Sequence, residues 1–330
     1  MSDAATREHD EAPVGIGPGL VLLAATAVAL LAANTGLATV YESLWTLPLP
    51  LVHDVRGAVN DGLMTIFFFT VGLEIRDEVQ AGSLRGLRRA ILPLAAAAGG
   101  MVVPALIYWS FNRTGPTAAG WGIPVATDIA FALGVLTLFG ARVAPGVRAV
   151  LLALSVVDDV GAILVITIFY AGGVHPTLGG VILGLALPKG LGARLQRALS
   201  IPVSYVIMPI FALANAGVPI DASVLSGDPL RVVLGVALGL IVGKPIGVIL
   251  AARALVASGA ATLPPGVAGR ELGVLGSLAG IGFTMSLFIA QLAFPEGQLL
   301  AGAKLGIIIG SAVAALIAAA ITLLRRPRLP

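Results

Sequence analysis

The chain has 330 residues, of which 58% are hydrophobic and 11% charged, and its net charge at pH 7 is +3. Soluble domains carry about 25% charged residues, and the deficit here extends along the whole sequence, so one multi-pass membrane domain, residues 1–330, is predicted. The lack of cysteine excludes disulfides and thiolate metal sites. The basic excess does not indicate a nucleic-acid partner, because the basic residues fall between apolar segments. The polar, acidic first residues indicate an uncleaved first span.

Ten apolar segments approach the length of about 20 residues that crossing a bilayer requires. We therefore predict an all-α membrane protein with about ten transmembrane helices and the lipid bilayer as its surroundings. The sixth segment is short for a full crossing. In chain order the segments lie near 16–36, 57–74, 91–111, 120–139, 149–171, 174–188, 200–218, 231–252, 272–294 and 302–324.

The basic residues divide unequally between the two sides of this arrangement. Cytoplasmic loops carry an excess of Lys and Arg, and placing both termini in the cytoplasm puts fifteen basic residues inside and four outside, with Lys244 within a span. A wrong span number would mix the two sets. The inner set is Arg7, Arg76, Arg85, Arg88, Arg89, Arg142, Arg148, Lys189, Arg194, Arg197, Arg253, Arg270, Arg325, Arg326 and Arg328; the outer set is Arg56, Arg113, Arg231 and Lys304.

Asp158 and Asp159 are adjacent in the fifth segment, AVLLALSVVDDVGAILVITIFYA. At about 1.5 Å rise per residue they lie roughly 14 Å from one end of it and 18 Å from the other, at the bilayer midplane. An ionisable residue there costs on the order of 3 kcal/mol and is by default a functional one. Burial and mutual repulsion both favour protonation, and the pair titrates as a coupled unit. The pair is predicted to bind either a hard cation or protons, which is the physical basis of cation/proton antiport.

Two further charged residues fall inside apolar segments, Asp128 in the fourth and Lys244 in the eighth. Neighbouring helical residues point about 100° apart, so one aspartate of the pair can face a cation together with Thr127 while the other faces Lys244. A purely structural ion pair involving Lys244 is an alternative. It leaves one aspartate of the pair and Asp128 unexplained.

The fourth and ninth segments contain residues that interrupt helices. Pro124 and Thr127–Asp128 interrupt the fourth, and the ninth contains GSLAGIGFTMS, residues 276–286. Small residues can simply allow close packing, but each segment is the middle of a three-span group, and the two groups run in opposite directions. Interrupted helices at corresponding places in inverted repeats indicate a midplane binding site. Asp128 and Lys244 are suited to offset the partial charges at the ends of such half-helices.

Six stretches resemble the NhaA family of sodium/proton antiporters: FFFTVGLEIRDEVQAGSL, GWGIPVATDIAFALGVL, LSVVDDVGAILVITIFY, PIFALANAGV, IVGKPIGV and LAGIGFTMSLFIAQLAF. They occur in the family's order and cover nearly the whole chain. The resemblance implies inverted-topology repeats with two interrupted, crossing helices. It also implies electrogenic exchange of sodium or lithium for more than one proton in the bacterial plasma (inner) membrane, serving sodium extrusion and pH homeostasis. No cofactor is expected beyond the transported Na+, Li+ and H+.

The resemblance assigns roles to particular residues. Asp158 and Asp159 match the cation- and proton-binding pair, and thus the ligands of transported sodium. A charged helix end is usually only a solvated surface, and a histidine whose pKa lies near neutral pH need not be a sensor. The pH-response roles therefore compete with interpretations in which these residues have no regulatory function. The other matching positions are Thr127, Asp128 and Lys244 at the site, Asp61 on an access path, and Glu74, Glu78 and His175 as pH-response candidates.

The resemblance also divides the chain into an ion-translocating core, 88–171 and 230–325, and scaffold or interface helices, 15–80 and 174–218. About two family helices are missing between 171 and 174, where Ala171–Gly173 is the whole connection. Their loss from the scaffold preserves the orientation of later spans. A homodimer is a further expectation, although the loop between the first two spans is shorter than the family's hairpin-forming loop.

Two positions near the pH-response candidates depart from the family pattern. Asp77 stands where a basic residue is usual, and Gln196 stands where an acid is expected. Three other functions compete with a secondary antiporter. An intramembrane aspartyl protease needs its aspartates on facing helices with shared geometry, whereas these are adjacent. A sodium-coupled solute symporter of similar fold should expose polar groups for an organic solute. A non-transporting or impaired family variant is compatible with the missing helices.

Overall fold

The computed structural model describes residues 17–50, 52–80, 82, 86–139, 143–169, 175–220, 223–294 and 296–324. These residues form helices and connecting loops without a β-strand, which confirms the predicted all-α class. The helical elements are Pro18–Ala33, Ala38–Trp45, Val55–Gln80, Leu87–Phe111, the 3-10 segment Pro116–Val125, Ile129–Leu138, Pro145–Phe169, Pro176–Ala186, Gly190–Asn215, Gly227–Ala257, Gly269–Ala279, Phe283–Ala293 and Gln298–Leu323.

Among the described residues, six helices are long and apolar enough to cross a membrane, and three bent helix pairs raise the number to nine. Each of the ten predicted segments corresponds to one of these or to the shorter apolar helix Pro176–Ala186. At about 1.5 Å per residue, that helix is roughly half the thickness of the hydrocarbon core. The predicted cytoplasmic termini and the connection at Ala171–Gly173 lie outside the described residues.

The first span differs from its predicted range of 16–36. The helix ends at Ala33, and the chain turns by 115° into the helix Ala38–Trp45, which the sequence analysis does not predict. Asn34 stabilises the turn, because its Nδ2 donates to Leu30 O at 2.9 Å and to Val218 O at 2.8 Å. An asparagine that satisfies free carbonyl groups ends a helix where hydropathy alone continues it.

The two interruptions predicted from Gly, Pro and polar residues are confirmed. The first broken span consists of Pro116–Val125 and Ile129–Leu138, bent by 46°, and the second consists of Gly269–Ala279 and Phe283–Ala293, bent by 44°. The interruptions touch, since Asp128 N donates to Ile281 O at 2.7 Å. Each opened backbone thus supplies a hydrogen-bond partner for the other, which is a condition for unwound chain at membrane depth.

A close helix crossing positions the eighth predicted span against the third. A Cβ atom added to Gly99 would lie 2.3 Å from Gly247 O, and one added to Gly247 would lie 2.0 Å from Gly99 O. Only glycine permits this approach of the helix Leu87–Phe111 to the helix Gly227–Ala257, a common device where helices pack within membranes. The crossing holds the lysine-bearing helix beside the first broken span.

Candidate functional site

The helix Pro145–Phe169, called the Asp helix below, carries the aspartate pair near its middle. The Asp158 side chain is 1% exposed, and the residue Asp159 is 6% exposed. The residues before the pair, Val156 and Val157, are apolar and buried. The helix itself therefore offers no compensation for a buried carboxylate, and partners have to come from other helices.

The helix Gly227–Ala257, called the Lys helix below, supplies the first partner. Its five residues Gly239–Gly243 are wound as a π-helix that ends directly before Lys244, a local distortion that is frequent at functional sites. The Lys244 side chain is 0% exposed, and its Nζ lies 2.6 Å from Asp158 Oδ2. A charged pair at this distance without solvent is stable only with good geometry and further hydrogen bonds.

Thr127, in the interruption of the first broken span, supplies those hydrogen bonds. Its hydroxyl accepts from Lys244 Nζ at 2.5 Å and also lies in hydrogen-bonding contact with Asp158 Oδ2 and Ala279 O. From the sequence, Thr127 is expected beside the cation-facing aspartate, away from Lys244. The structure instead places it with Asp158 and Lys244, because the interruption brings its hydroxyl to the end of the half-helix Gly269–Ala279.

Asp128 occupies the N-termini of two half-helices at once. Its Oδ1 accepts from Phe131 N at 2.9 Å, and its Oδ2 accepts from Thr284 N at 3.1 Å and from the Thr284 hydroxyl. Free N–H groups and the helix dipole both make such a position favourable for a carboxylate. This is the place that the sequence analysis expects for Asp128. Lys244, by contrast, reaches the C-terminal end of Gly269–Ala279 only through Thr127.

Asp159 differs from its neighbour. Its carboxylate has no hydrogen bond to any residue that the structure describes. It interacts electrostatically with Glu74, Asp158 and Asp128, which carry the same sign of charge, and with Lys244. Asp159 is therefore a buried oxygen donor held near other acids and left without a fixed partner.

Three hydroxyl-bearing residues at the crossing were not predicted individually. Thr284 binds Asp128, Ser286 donates to Ile123 O at 2.7 Å, and Ser311 accepts from Phe283 N at 3.1 Å. Thr284 and Ser286 belong to the stretch GFTMS that marks the second interruption, so a local signal existed for them. Ser311 lies in an unbroken helix, and nothing in the sequence around it indicates this contact.

The pH-response candidates lie in two separate places, Glu74 and Glu78 at one end of the helix Val55–Gln80 and His175 near the other. Glu74 is half-buried and interacts electrostatically with Glu78 and Asp159. His175 lies at the opposite end of the helix Val55–Gln80, with its Nε2 3.9 Å from Asp61 Oδ1. Burial lowers the pKa of His175 from its ordinary value, and the Asp61 carboxylate opposes this effect only in part.

Asp77, which departs from the family pattern, has a structural partner. Its carboxylate lies 2.6 Å from Arg76 Nη2, and Arg76 Nη1 donates to Leu187 O at 2.7 Å. Arg76 is buried, at 4% exposure, so the acid balances a charge that would otherwise be costly. This contact explains a carboxylate at residue 77 without a regulatory role.

Asp61 and His175 line a cavity of about 520 Å³. We call it the outer cavity, after the side on which the distribution of basic residues places its loops. Asn60, Asn215 and Gln291 also line it, and the buried Phe288 lies in its wall. Neither aspartate of the pair lines this cavity.

Comparison with known proteins gives a consistent result. The model of the family described as Na+/H+ antiporter 1 matches residues 14–172 and 170–322. The chain is 41% identical to the Na(+)/H(+) antiporter NhaA 2 of Sorangium cellulosum, over 92% of this chain and 86% of that protein. It is 41% identical to the Na(+)/H(+) antiporter NhaA of Cronobacter sakazakii, over 91% of this chain and 93% of that protein. It is 39% identical to the Na(+)/H(+) antiporter NhaA 1 of Clostridium beijerinckii, over 92% and 91%.

The match to the family is divided into two segments. The two segments that match the family model meet at 170–172. The alignment with the Cronobacter protein extends over 361 positions, whereas this chain has 330 residues. Some residues of the Cronobacter protein are therefore aligned with gaps and have no counterpart here.

Proposed function

Because the chain belongs to the Na+/H+ antiporter 1 family, we propose that it exchanges sodium or lithium for protons at Asp158 and Asp159. The observation that carries this proposal is the asymmetry of the pair. Asp158 is bound by Lys244 and Thr127, whereas Asp159 has no hydrogen bond to a described residue. One carboxylate is thus available to a cation while the other is held by an internal cation.

The charges of the site support competition between sodium and protons. Two carboxylates and one ammonium leave a net charge of −1 when all three are ionised, which one sodium ion neutralises. Protonation of the carboxylates removes the charge that attracts sodium, so each occupant excludes the other. Three titratable groups, Asp158, Asp159 and Lys244, can release or take up more than one proton per sodium ion. This stoichiometry makes the proposed exchange electrogenic.

The broken spans suit a site that changes access. Asp128 holds the N-termini of Ile129–Leu138 and Phe283–Ala293 together, so the half-helices can tilt while the hydrogen bonds at their crossing persist. Alternating access around a midplane site of this kind is the usual behaviour of inverted-repeat transporters. In this proposal the core is 88–171 and 230–325, and the helices at 15–80 and 174–218 are the scaffold.

In the cell, the proposed protein lies in the bacterial plasma membrane with both termini in the cytoplasm. The proton gradient across that membrane would drive sodium outward and contribute to sodium and pH homeostasis. Glu74 and Glu78 are proposed on the inner approach to Asp159, and a homodimer remains a prediction from the family resemblance.

A non-transporting variant is the second candidate. It is favoured by the meeting of the two family-matching segments at 170–172, which agrees with a scaffold short of two helices. Such a chain can keep the site and lose the support against which the core moves. The two candidates differ in exchange activity alone, since both retain the aspartate pair.

Reconstituted vesicles separate these candidates. Sodium or lithium added to vesicles that contain the purified chain and a preset ΔpH should dissipate it, and the half-saturating sodium concentration should rise as pH falls. Empty vesicles and vesicles with Asp159→Asn are the controls. No cation-dependent dissipation from pH 6 to pH 9 would establish the non-transporting variant, and a sodium affinity independent of pH would exclude a shared site.

A further inference from the structure

The outer cavity contains a chain of three amide side chains that the proposed exchange does not use. Asn215 Nδ2 donates to Asn60 Oδ1 at 2.8 Å, and Asn60 Nδ2 donates to Gln291 Oε1 at 2.5 Å. The three residues come from three different helices, Gly190–Asn215, Val55–Gln80 and Phe283–Ala293. All three line the cavity. These hydrogen-bonded amides therefore lie along the wall of the space through which sodium would pass in the proposed exchange.

Asn215 is the first donor among these three amides, and its own side-chain oxygen accepts no hydrogen bond from a described residue. Its Nδ2 also donates to Phe211 O at 3.0 Å, and because a backbone carbonyl can only accept, the orientation of the amide is determined. Asn215 is 0% exposed, and its Oδ1 has no hydrogen-bond partner among the described residues. Buried acceptors without partners are rare, and leaving one unsatisfied costs desolvation free energy. A ligand bound to this oxygen would offset that cost.

The charges around the cavity favour a cation as that ligand. Arg56 is neutralised by Glu42, with nitrogen–oxygen distances of 3.0 and 2.8 Å. A surplus of negative charge in a cleft concentrates cations. The cavity wall carries four acidic and two basic side chains: Glu42, Asp54, Asp61 and Glu296, against Arg56 and Lys304.

We propose that Asn215 Oδ1 and the Asp61 carboxylate form a second, transient site for a small alkali cation, Na+ or Li+, in the outer cavity. Both residues line the outer cavity, and Asp61 follows Asn60, the residue to which Asn215 is hydrogen-bonded. Hard cations take carboxylate and amide oxygens as ligands. The inference rests on the proposed function, in which this site receives exported sodium before its release.

Direct binding tests the site apart from exchange. In detergent-solubilised Asp159→Asn protein, titration with NaCl by calorimetry and ²³Na line broadening should show saturable binding. Adding Asn215→Leu should weaken that binding at least about tenfold, a factor that corresponds to about 1.4 kcal/mol. An Asp159→Asn protein without saturable sodium binding would overturn the inference, even if the wild type exchanges. Saturable binding in the Asp159→Asn protein, together with a wild type that shows no exchange, would overturn the proposed function and leave this site in place.

Two further variants separate a ligand role from a structural role. Asn215→Asp keeps an oxygen but cannot, as a carboxylate, donate to Phe211 O or Asn60 Oδ1, so a ligand role predicts retained binding. Equal loss in Asn215→Asp and Asn215→Leu would show that the amide only links helices. Asn112 is the matched control, because its buried Oδ1 is also unpartnered among the described residues but it does not line the cavity. Asn112→Leu should leave sodium binding unchanged, and an equal loss there would also overturn the site.

Discussion

Lys244 Nζ and Asp158 Oδ2 lie 2.6 Å apart, with side chains that are 0% and 1% exposed. The adjacent Asp159 has no hydrogen bond within the described part of the chain. Two chemically identical neighbours therefore have different surroundings, because adjacent residues on a helix point about 100° apart and so face different elements. A buried pair is weak support for stability by itself, and its value here is that it separates the roles of the two acids.

Asp159→Asn should abolish exchange. Asparagine keeps the size of the side chain but removes both the negative charge and the proton-accepting site at which sodium and protons compete. The measurement is sodium-driven ΔpH change in vesicles. Asp228→Asn is a suitable control, since Asp228 is exposed and, among the described residues, pairs only with Arg231 at 3.4 Å. Unchanged exchange in Asp159→Asn would remove this residue from the mechanism.

Lys244→Met should destabilise the protein by about 3–5 kcal/mol, because it leaves the Asp158 carboxylate buried without its cation. Lys244→Met combined with Asp158→Asn should recover much of this loss, since no buried charge then lacks a partner. Thermal unfolding in detergent measures both effects. A wild-type melting temperature for Lys244→Met would show that the ion pair contributes nothing to stability.

Asp128→Ala should cost about 1–4 kcal/mol, because the carboxylate caps two half-helices and each cap contributes about 0.5–2 kcal/mol. Asp54→Ala is the matched control, since Asp54 caps a single helix by accepting from Gly57 N at 2.7 Å. Comparison of the two melting temperatures checks the prediction. If Asp54→Ala is the more damaging change, Asp128 does not have the double role at the crossing.

Gly280→Ala should impair folding or exchange, because an added Cβ would lie 2.5 Å from Leu240 O in the Lys helix. The neighbour is backbone and can give way only if the helix moves away from the second broken span. Gly179→Ala is the control, since no atom of another described part of the chain lies within 4 Å of a Cβ there. Exchange and expression level measure the difference, and equal behaviour of the two variants would show that the crossing is loosely packed.

His175 should make the protein less stable in acid. Its pKa is lowered in the folded state, mainly by burial, so the unfolded chain binds a proton first as pH falls. The contribution of neutral His175 is complete above the unfolded value of about 6.5 and is lost as pH falls toward the folded pKa. The wild type should lose more of its melting temperature between pH 7.5 and 5.5 than His175→Gln, and parallel decreases would contradict this.

The sequence predicted the elements better than their ends or partners. Among the described residues, each segment predicted from hydropathy corresponds to an apolar helix or a bent helix pair. Hydropathy did not predict the turn at Asn34, where a side chain that binds carbonyls ends the first helix. The Gly and Pro pattern predicted both interruptions. It did not predict that Thr127 would join Lys244 on Asp158, because that contact depends on how the two broken spans cross.

The sequence by itself determined that this is a membrane protein with costly charges at its centre, and the resemblance of its motifs identified the family. Those conclusions depend on which residues are present and how they are spaced, and the energetic cost of charge in a bilayer makes such spacing informative. Only the tertiary structure decided which aspartate Lys244 binds, and that Asn60, Asn215 and Gln291 meet in one cavity. Such partners lie far apart in the chain, and the packing of helices alone brings them within hydrogen-bonding distance.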